Sequence, residues 1–141
     1  MPCDWRTYER GKERYGCREE QLYETITRGV VWQAAVNLGP NVNSQASEHH
    51  SLPSPDGRSL YVTSLRSDGL GGEDIYVTTR GADGVWGPLV NLGSAVNSDQ
   101  NDRCPAFSPD HSTFYFDSER RGGQGDKDLW SVPYALIADT R

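Results

Sequence analysis

Three groups of side chains in this 141-residue sequence have types that could do chemistry. His49 and His50 offer adjacent imidazoles, the donors zinc favours, but neighbours on a strand face opposite ways, so a shared metal needs a loop and further ligands. Asp68, Glu73 and Asp74, and further on Asp126 and Asp128, place hard carboxylate oxygens around Gly-rich runs, the ligand type of calcium. Their spacing departs from the EF-hand loop, so the expectation is no cofactor, with calcium kept as the alternative. Cys3, Cys17 and Cys104 are odd in number and share no CxxC spacing, and Cys104 and His111 are seven residues apart. Cys3 and Cys17 could pair in an oxidising compartment, though nothing in the spacing requires it.

Catalytic motifs find little support. There is no Gly-x-Ser-x-Gly elbow, P-loop or Rossmann glycine pattern on a strand-to-helix turn. Gly122-Gly123-Gln124-Gly125 is Gly-rich but sits between strand-like stretches, without the helix N-terminus that phosphate binding uses. The reading is therefore non-enzymatic.

The elements that must position these residues follow from composition and repetition. Net charge is -6, from 14 Lys plus Arg against 20 Asp plus Glu, which excludes a phosphate-backbone partner that basic residues would neutralise. No apolar run reaches the length of a membrane-spanning helix, and Met1 to Arg14 hold no apolar signal-peptide core. Few aliphatic residues would suggest disorder, but aromatic residues at 10% supply burial instead. Fifteen Gly and eight Pro suit short strands joined by tight turns.

Shifting the chain by 54 residues superimposes Val36-Asn37-Leu38-Gly39 on Val90-Asn91-Leu92-Gly93 and Val42-Asn43-Ser44 on Val96-Asn97-Ser98. Ser54-Pro55-Asp56 likewise falls on Ser108-Pro109-Asp110, and Trp32, Arg66 and Asp74 fall on Trp86, Arg120 and Asp128. Over positions 32 to 78 against 86 to 132, 17 of 47 residues are identical without a gap. Within each copy, runs such as Leu60-Tyr61-Val62-Thr63 and Ile75-Tyr76-Val77-Thr78 read as strands, and Ser-Pro-Asp-Gly at 54 to 57 reads as the turn before them. His111 replaces Gly57 where a positive φ is expected, so it is predicted to adopt the left-handed region, and its replacement by Gly to stabilise slightly. Four short antiparallel strands per repeat of about 50 residues is the signature of a propeller blade.

The string Trp, Val-Asn-Leu-Gly, Val-Asn-Ser, Ser-Pro-Asp-Gly, Leu-Tyr-Val-Thr-Ser, Arg, Gly, Gly, Asp-Ile-Tyr-Val resembles the WD40-like PD40 repeat of TolB-type bacterial β-propellers. The resemblance covers residues 32 to 133 and is carried by both copies. It implies an all-β chain of four-stranded antiparallel meanders, used as a binding or scaffolding platform in a periplasmic or other extracytoplasmic setting. The implied divisions are an N-terminal segment over 1–31, repeats over 32–85 and 86–133, and a tail over 134–141. Arg14-Tyr15-Gly16, Leu22-Tyr23 and Thr27-Arg28-Gly29 also lie on Arg66 to Gly69, Ile75-Tyr76 and Thr79-Arg80-Gly81 with two one-residue deletions, which suggests the remnant of a preceding blade.

Two complete repeats and a partial third make an incomplete propeller. A fragment of a larger ring, ring closure by self-association, and stacking on another protein are the three resolutions, with the fragment preferred.

Repetition also sorts the candidate residues, because a residue that every blade needs recurs while a residue of one site need not. Arg66 with Asp74, and Arg120 with Asp128, are expected to clamp their loops by pairing with each other or with loop carbonyls, while Asn43 and Asn97 cap backbone groups. Trp32 and Trp86, with Tyr61, Tyr76, Tyr115 and Trp130, are expected to supply burial. Repeat-variable positions on the loop rim are the binding candidates: Glu48, His49, His50, Asp68, Glu73, Asp102, Arg103, Arg121 and Lys127. The partner expected is a protein or a glycan. The alternative is a fragment of a propeller hydrolase, in which Asp102 or Asp117 could join two-carboxylate chemistry across a complete ring.

Overall fold

Each described strand pairs antiparallel with its neighbours, and the described strands form three successive sheets. The computed structural model describes residues 6–8, 13–18 and 21–140. Strands β1 (Arg6–Tyr8), β2 (Glu13–Arg18) and β3 (Gln21–Arg28) form a meander, and β4 (Val31–Trp32) and β5 (Val36–Asn37) both pair with β3 on its other side. The second sheet runs β6 (Glu48–Pro53), β7 (Ser59–Ser64), β8 (Asp74–Thr79) and β9 (Val90–Asn91). The third runs β10 (Asp102–Phe107), β11 (Thr113–Ser118) and β12 (Asp128–Pro133), with no fourth strand among the described residues. The chain is all-β, as its β-branched and aromatic runs require. Arg14-Tyr15-Gly16 lies within β2 rather than in a loop like that of Arg66 to Gly69. Cys3 and the side chain of Cys17 lie outside the described residues.

The sheets are out of step with the sequence repeat. Val36–Asn37 belongs to the first repeat yet pairs with β3 of the first sheet, and Val90–Asn91 belongs to the second yet pairs with β8 of the second sheet. Tyr23 faces Asn37 as Tyr76 faces Asn91.

Alternation within the strands splits the core in two. Leu60 and Val62 face the first sheet and bury Leu22, Leu38, Val42 and Trp86. Tyr61, Ile75 and Val77 face the third sheet and meet Leu92, Val96, Phe114 and Phe116. Each fully buried side chain of this size contributes about 1.5–3 kcal/mol. Trp32 and Trp130 are half-buried, and Tyr115, expected to be buried, is exposed because it lies on the outward face of the third sheet. The tail forms a 3-10 turn at Tyr134–Leu136 and then buries Ile137 in the second cluster.

Each cluster is bordered by one copy of a repeated asparagine clamp, at Leu22 in the first and at Ile75 in the second. The Ile75 N–H donates to Asn97 Oδ1 at 2.8 Å, while Asn97 Nδ2 donates to the Ile75 carbonyl and to Asn91 Oδ1. The first copy repeats the arrangement with Leu22, Asn43 and Asn37. Leu38 and Leu92 add a main-chain bond to the same Leu22 and Ile75 carbonyls. Since Asn43 and Asn97 are buried, these groups have no route to water, and the clamp satisfies strand-edge groups that would otherwise be costly.

The Ser-Pro-Asp turns match in detail. The Gly57 N–H donates to the Ser54 carbonyl at φ 71°, and the His111 N–H to the Ser108 carbonyl at φ 58°, the left-handed geometry expected for His111. The Asp110 carboxylate accepts from Ser108 Oγ and from the Ser112 N–H and Oγ, which hold it down at about 2. The His111 ring also meets Phe107 edge-on at 6.0 Å, a contact that Gly57 lacks.

Two stability outcomes follow. Asn97→Ala is expected to cost about 2–3 kcal/mol by orphaning the buried Ile75 N–H, and Asn97→Asp to be destabilising as well, because it turns a donor into an acceptor facing the Ile75 carbonyl; urea melts measure both. Gly57→Ala is expected to lose about 1 kcal/mol, whereas His111→Gly should change the unfolding free energy by less than that in the same melts, because relief of strain is offset by the lost Phe107 contact.

Candidate functional site

The loop rim divides into a buried half and an accessible half. Glu48 and Asp102, expected on the binding surface, are each 0% exposed and serve the scaffold. Ser44 donates to Glu48 through its N–H (2.9 Å) and Oγ (2.6 Å), and Ser64 Oγ adds a third bond at 3.1 Å. Ser98 binds Asp102 in the same way, through its N–H at 2.6 Å and Oγ at 2.8 Å. The substitution of Asp for Glu between repeats made these positions look variable, but the acid is common to both.

These carboxylates take the place of Asp74 and Asp128 beside the arginines, while the other expected pairing, with loop carbonyls, is present at Val42 and Val96. Arg66 lies against Glu48, with Nε 3.4 Å from Oε1, and donates to the Val42 carbonyl at 2.6 Å. Arg120 pairs with Asp102 at 2.7 Å, donates to the Val96 carbonyl, and stacks over Phe116 and Trp130. A fully buried carboxylate needs a cation or several donors, and Arg supplies both the charge and the fork. Asp74 and Asp128 instead cap their own Gly-rich loops. Asp74 accepts from the Leu70 and Gly71 N–H groups and from Asn91 Nδ2, and Asp128 from the Gln124 and Gly125 N–H groups.

The accessible half is built by two bulges. The pairing of β6 with β7 slips between His49 and Leu52, and that of β10 with β11 slips between Arg103 and Ala106. One extra residue in each inner strand is absorbed by a positive φ, 46° at His50 and 56° at the matching Cys104. Neither residue is Gly, so the sequence carried no signal for the bulge. Its effect is to bring neighbouring side chains together, and the His49 and His50 rings lie edge to face at 4.5 Å instead of on opposite sides of a strand.

Around these bulges the two sheets share a polar patch. Arg103 donates to Glu73 (2.8 Å), Asp117 (3.2 Å) and Glu119 (2.6 Å). His49 Nε2 lies 2.8 Å from the other oxygen of Glu73, and Asn101 joins Glu119 to the Glu73 N–H. Burial opposes the Arg103 charge, but Asp117, Glu73 and Glu119 outweigh it and hold the guanidinium above the ordinary arginine range. Beside this network His50 Nδ1 sits 3.7 Å from Cys104 Sγ. His49, His50, Glu73 and Arg103 were legible as repeat-variable residues. Asp117 and Glu119 were missing from the candidate rim, although acids standing where Thr63 and Leu65 stand in the first repeat were the available signal.

The remaining candidates lie outside this patch. Asp68 accepts from the Tyr76 phenol at 3.0 Å, and Arg121 and Lys127 are exposed on the last Gly-rich loop. The first carboxylate set considered for calcium is thus dispersed among separate partners: Tyr76 for Asp68, Arg103 and His49 for Glu73, loop N–H groups for Asp74. Among the described residues no group of three or more His, Cys, Asp or Glu is arranged to hold a metal ion. No described helix is long and apolar enough to cross a membrane.

No protein-family model matches the chain, and a search of curated proteins gives no match either.

Burial, with Asp68 and the charge of Asp74 adding to it against an opposing contribution from Asn91, pushes the Tyr76 phenol up to about 12. A raised folded value stabilises the fold below the unfolded tyrosine value near 10, and that contribution is lost as pH rises through 12. Ultraviolet difference titration against Tyr76→Phe should find this late ionisation, and Asp68→Asn should lower it only part of the way, since burial is the larger cause.

Proposed function

We propose that the three meanders are consecutive blades of a PD40-type β-propeller of which this chain supplies a part, and that the chain is a non-enzymatic binding or scaffolding module for a protein or glycan partner in an extracytoplasmic setting. The repeated clamps and the PD40-like strings support the architectural half of this reading. The functional half rests on one observation, the meeting of repeat-variable side chains from two neighbouring sheets in a single half-buried polar patch.

The residues shared by the repeats are spent on the scaffold: Asn43 and Asn97 on strand edges, Glu48 and Asp102 on their arginines. His49, His50, Arg103 and Cys104 differ between repeats and converge on the patch. Three carboxylates around one guanidinium leave negative charge and spare acceptor lone pairs, which suits lysine or arginine side chains, or an array of sugar hydroxyls. Arg103 already tied into this network gives the surface a set shape before a partner arrives, which lowers the ordering cost of binding.

Amide shifts during titration with a lysine-rich decapeptide and with a neutral hexasaccharide test the reading. At least one probe is expected to move His49, Glu73 and Arg103 together, and Glu119→Gln to weaken that response about tenfold, the size of one charge-assisted hydrogen bond. Shifts confined to other surfaces would overturn the assignment of the patch, and turnover of a chromogenic glycoside by the chain would replace the binding module with the hydrolase.

A further inference from the structure

The open edge of the third sheet is a second candidate surface, and the rest of the molecule shows what fits it. Leu129 pairs with Asp117 at the ladder position where Ile75 pairs with Thr63. Its N–H and C=O therefore point out from the sheet edge, as those of Ile75 point toward Asn97 and Leu92. Leu22 occupies the same position in the first sheet and meets Asn43 and Leu38. Leu22 and Ile75 are 1% and 0% exposed, whereas Leu129 is 81% exposed. Asp128 next to it keeps the loop-capping bonds of Asp74, whose carboxylate also receives Asn91 Nδ2 of the incoming segment.

Gly125 is an independent observation. Its counterpart Gly71 is indispensable, because a Cβ there would stand 2.0 Å from the Gln100 carbonyl and 2.7 Å from that of Ser98, the backbone of the incoming segment. At Gly125 the φ is not positive and a Cβ would meet nothing nearer than the Lys127 carbonyl at 3.9 Å. The isolated chain gives this glycine no task, but a segment seated as residues 90–101 are seated would.

We propose that the edge formed by Gly125, Asp128 and Leu129 is a docking site for an Asn-Leu-Gly-x-x-Val-Asn-Ser segment of a partner polypeptide, held by an asparagine clamp like those of Asn43 and Asn97. This deepens the modular reading given above and rests on it. The partner is not a second copy in its folded form, because both such segments of the chain are already engaged, on Leu22 and on Ile75. Asp117 and Ser131 replace Thr63 and Val77 on the outward face, so the edge keeps the clamp rather than a broad apolar surface, and a short segment suits it.

A synthetic peptide of residues 90–101, titrated into the full chain and followed by amide shifts, tests the docking. The Asp128 and Leu129 amides are expected to move. Gly125→Ala, which has room for its methyl in the isolated chain, is expected to keep the parent melting temperature yet weaken the peptide at least tenfold, as is Ala at the peptide's counterpart of Asn97. Shifts at Ile75 or Leu22 in place of Leu129, equal binding to Gly125→Ala, or no response at millimolar peptide would overturn the proposal. So would Leu129 shifts that depend on chain concentration without peptide, which would make the occupant a second copy. The His49 and Arg103 amides report separately on the polar patch, so failure at one surface is distinguishable from failure at the other.

Discussion

One amide side chain per sheet junction, Asn43 in the first and Asn97 in the second, satisfies both polar groups of a buried main-chain residue, and most of the arrangement follows from that geometry. A sheet edge buried without partners is among the costlier errors a β protein can make. Here the edge at Ile75 is closed by Asn97 and Leu92, which belong to the segment leading into the next sheet. The clamp thus sets where that segment runs, and from there where Asp102 and β10 begin. Asp102 in turn anchors Arg120, which lies over Phe116 and Trp130 and ties the third sheet to the same junction.

Charge is distributed by burial. Glu48 and Asp102 lie under the rim, each with an arginine and serine donors, and breaking such a pair leaves an uncompensated buried charge. Glu73, Asp117 and Glu119 stay partly exposed and share Arg103 among them. The first set holds the loops in position, and the second gives the surface its acidic character. The same residue types serve two purposes because one set is fully buried and the other keeps part of its surface in solvent.

Much of the architecture was legible because it is written twice. The repeated Ser-Pro-Asp turns and the strand runs around Tyr61 and Ile75 follow from spacing. The loop-carbonyl partners of the arginines were legible but their acidic partners were not, because Asp74 and Glu48 are both acids within reach in sequence. Only the path of the loop shows that Asp74 is consumed by its own N–H groups. The bulges were hidden for a different reason: His50 and Cys104 hold a positive φ that their residue types disfavour, so surrounding pairing overrides local preference there. Repetition itself misled at Glu48 and Asp102, where a change of length within one chemical class looked like variation.

The stretch that recurs in sequence and the sheet that folds are offset by one strand, since β5 and β9 each close a sheet built from the preceding stretch. Any duplication of this unit therefore arrives carrying the closing strand for its predecessor and lacking one of its own. Each added copy mends the edge before it and opens a new one behind it. Growth by this route has a direction, and it ties the stability of neighbouring sheets together, because removing one copy also strips the closure from another.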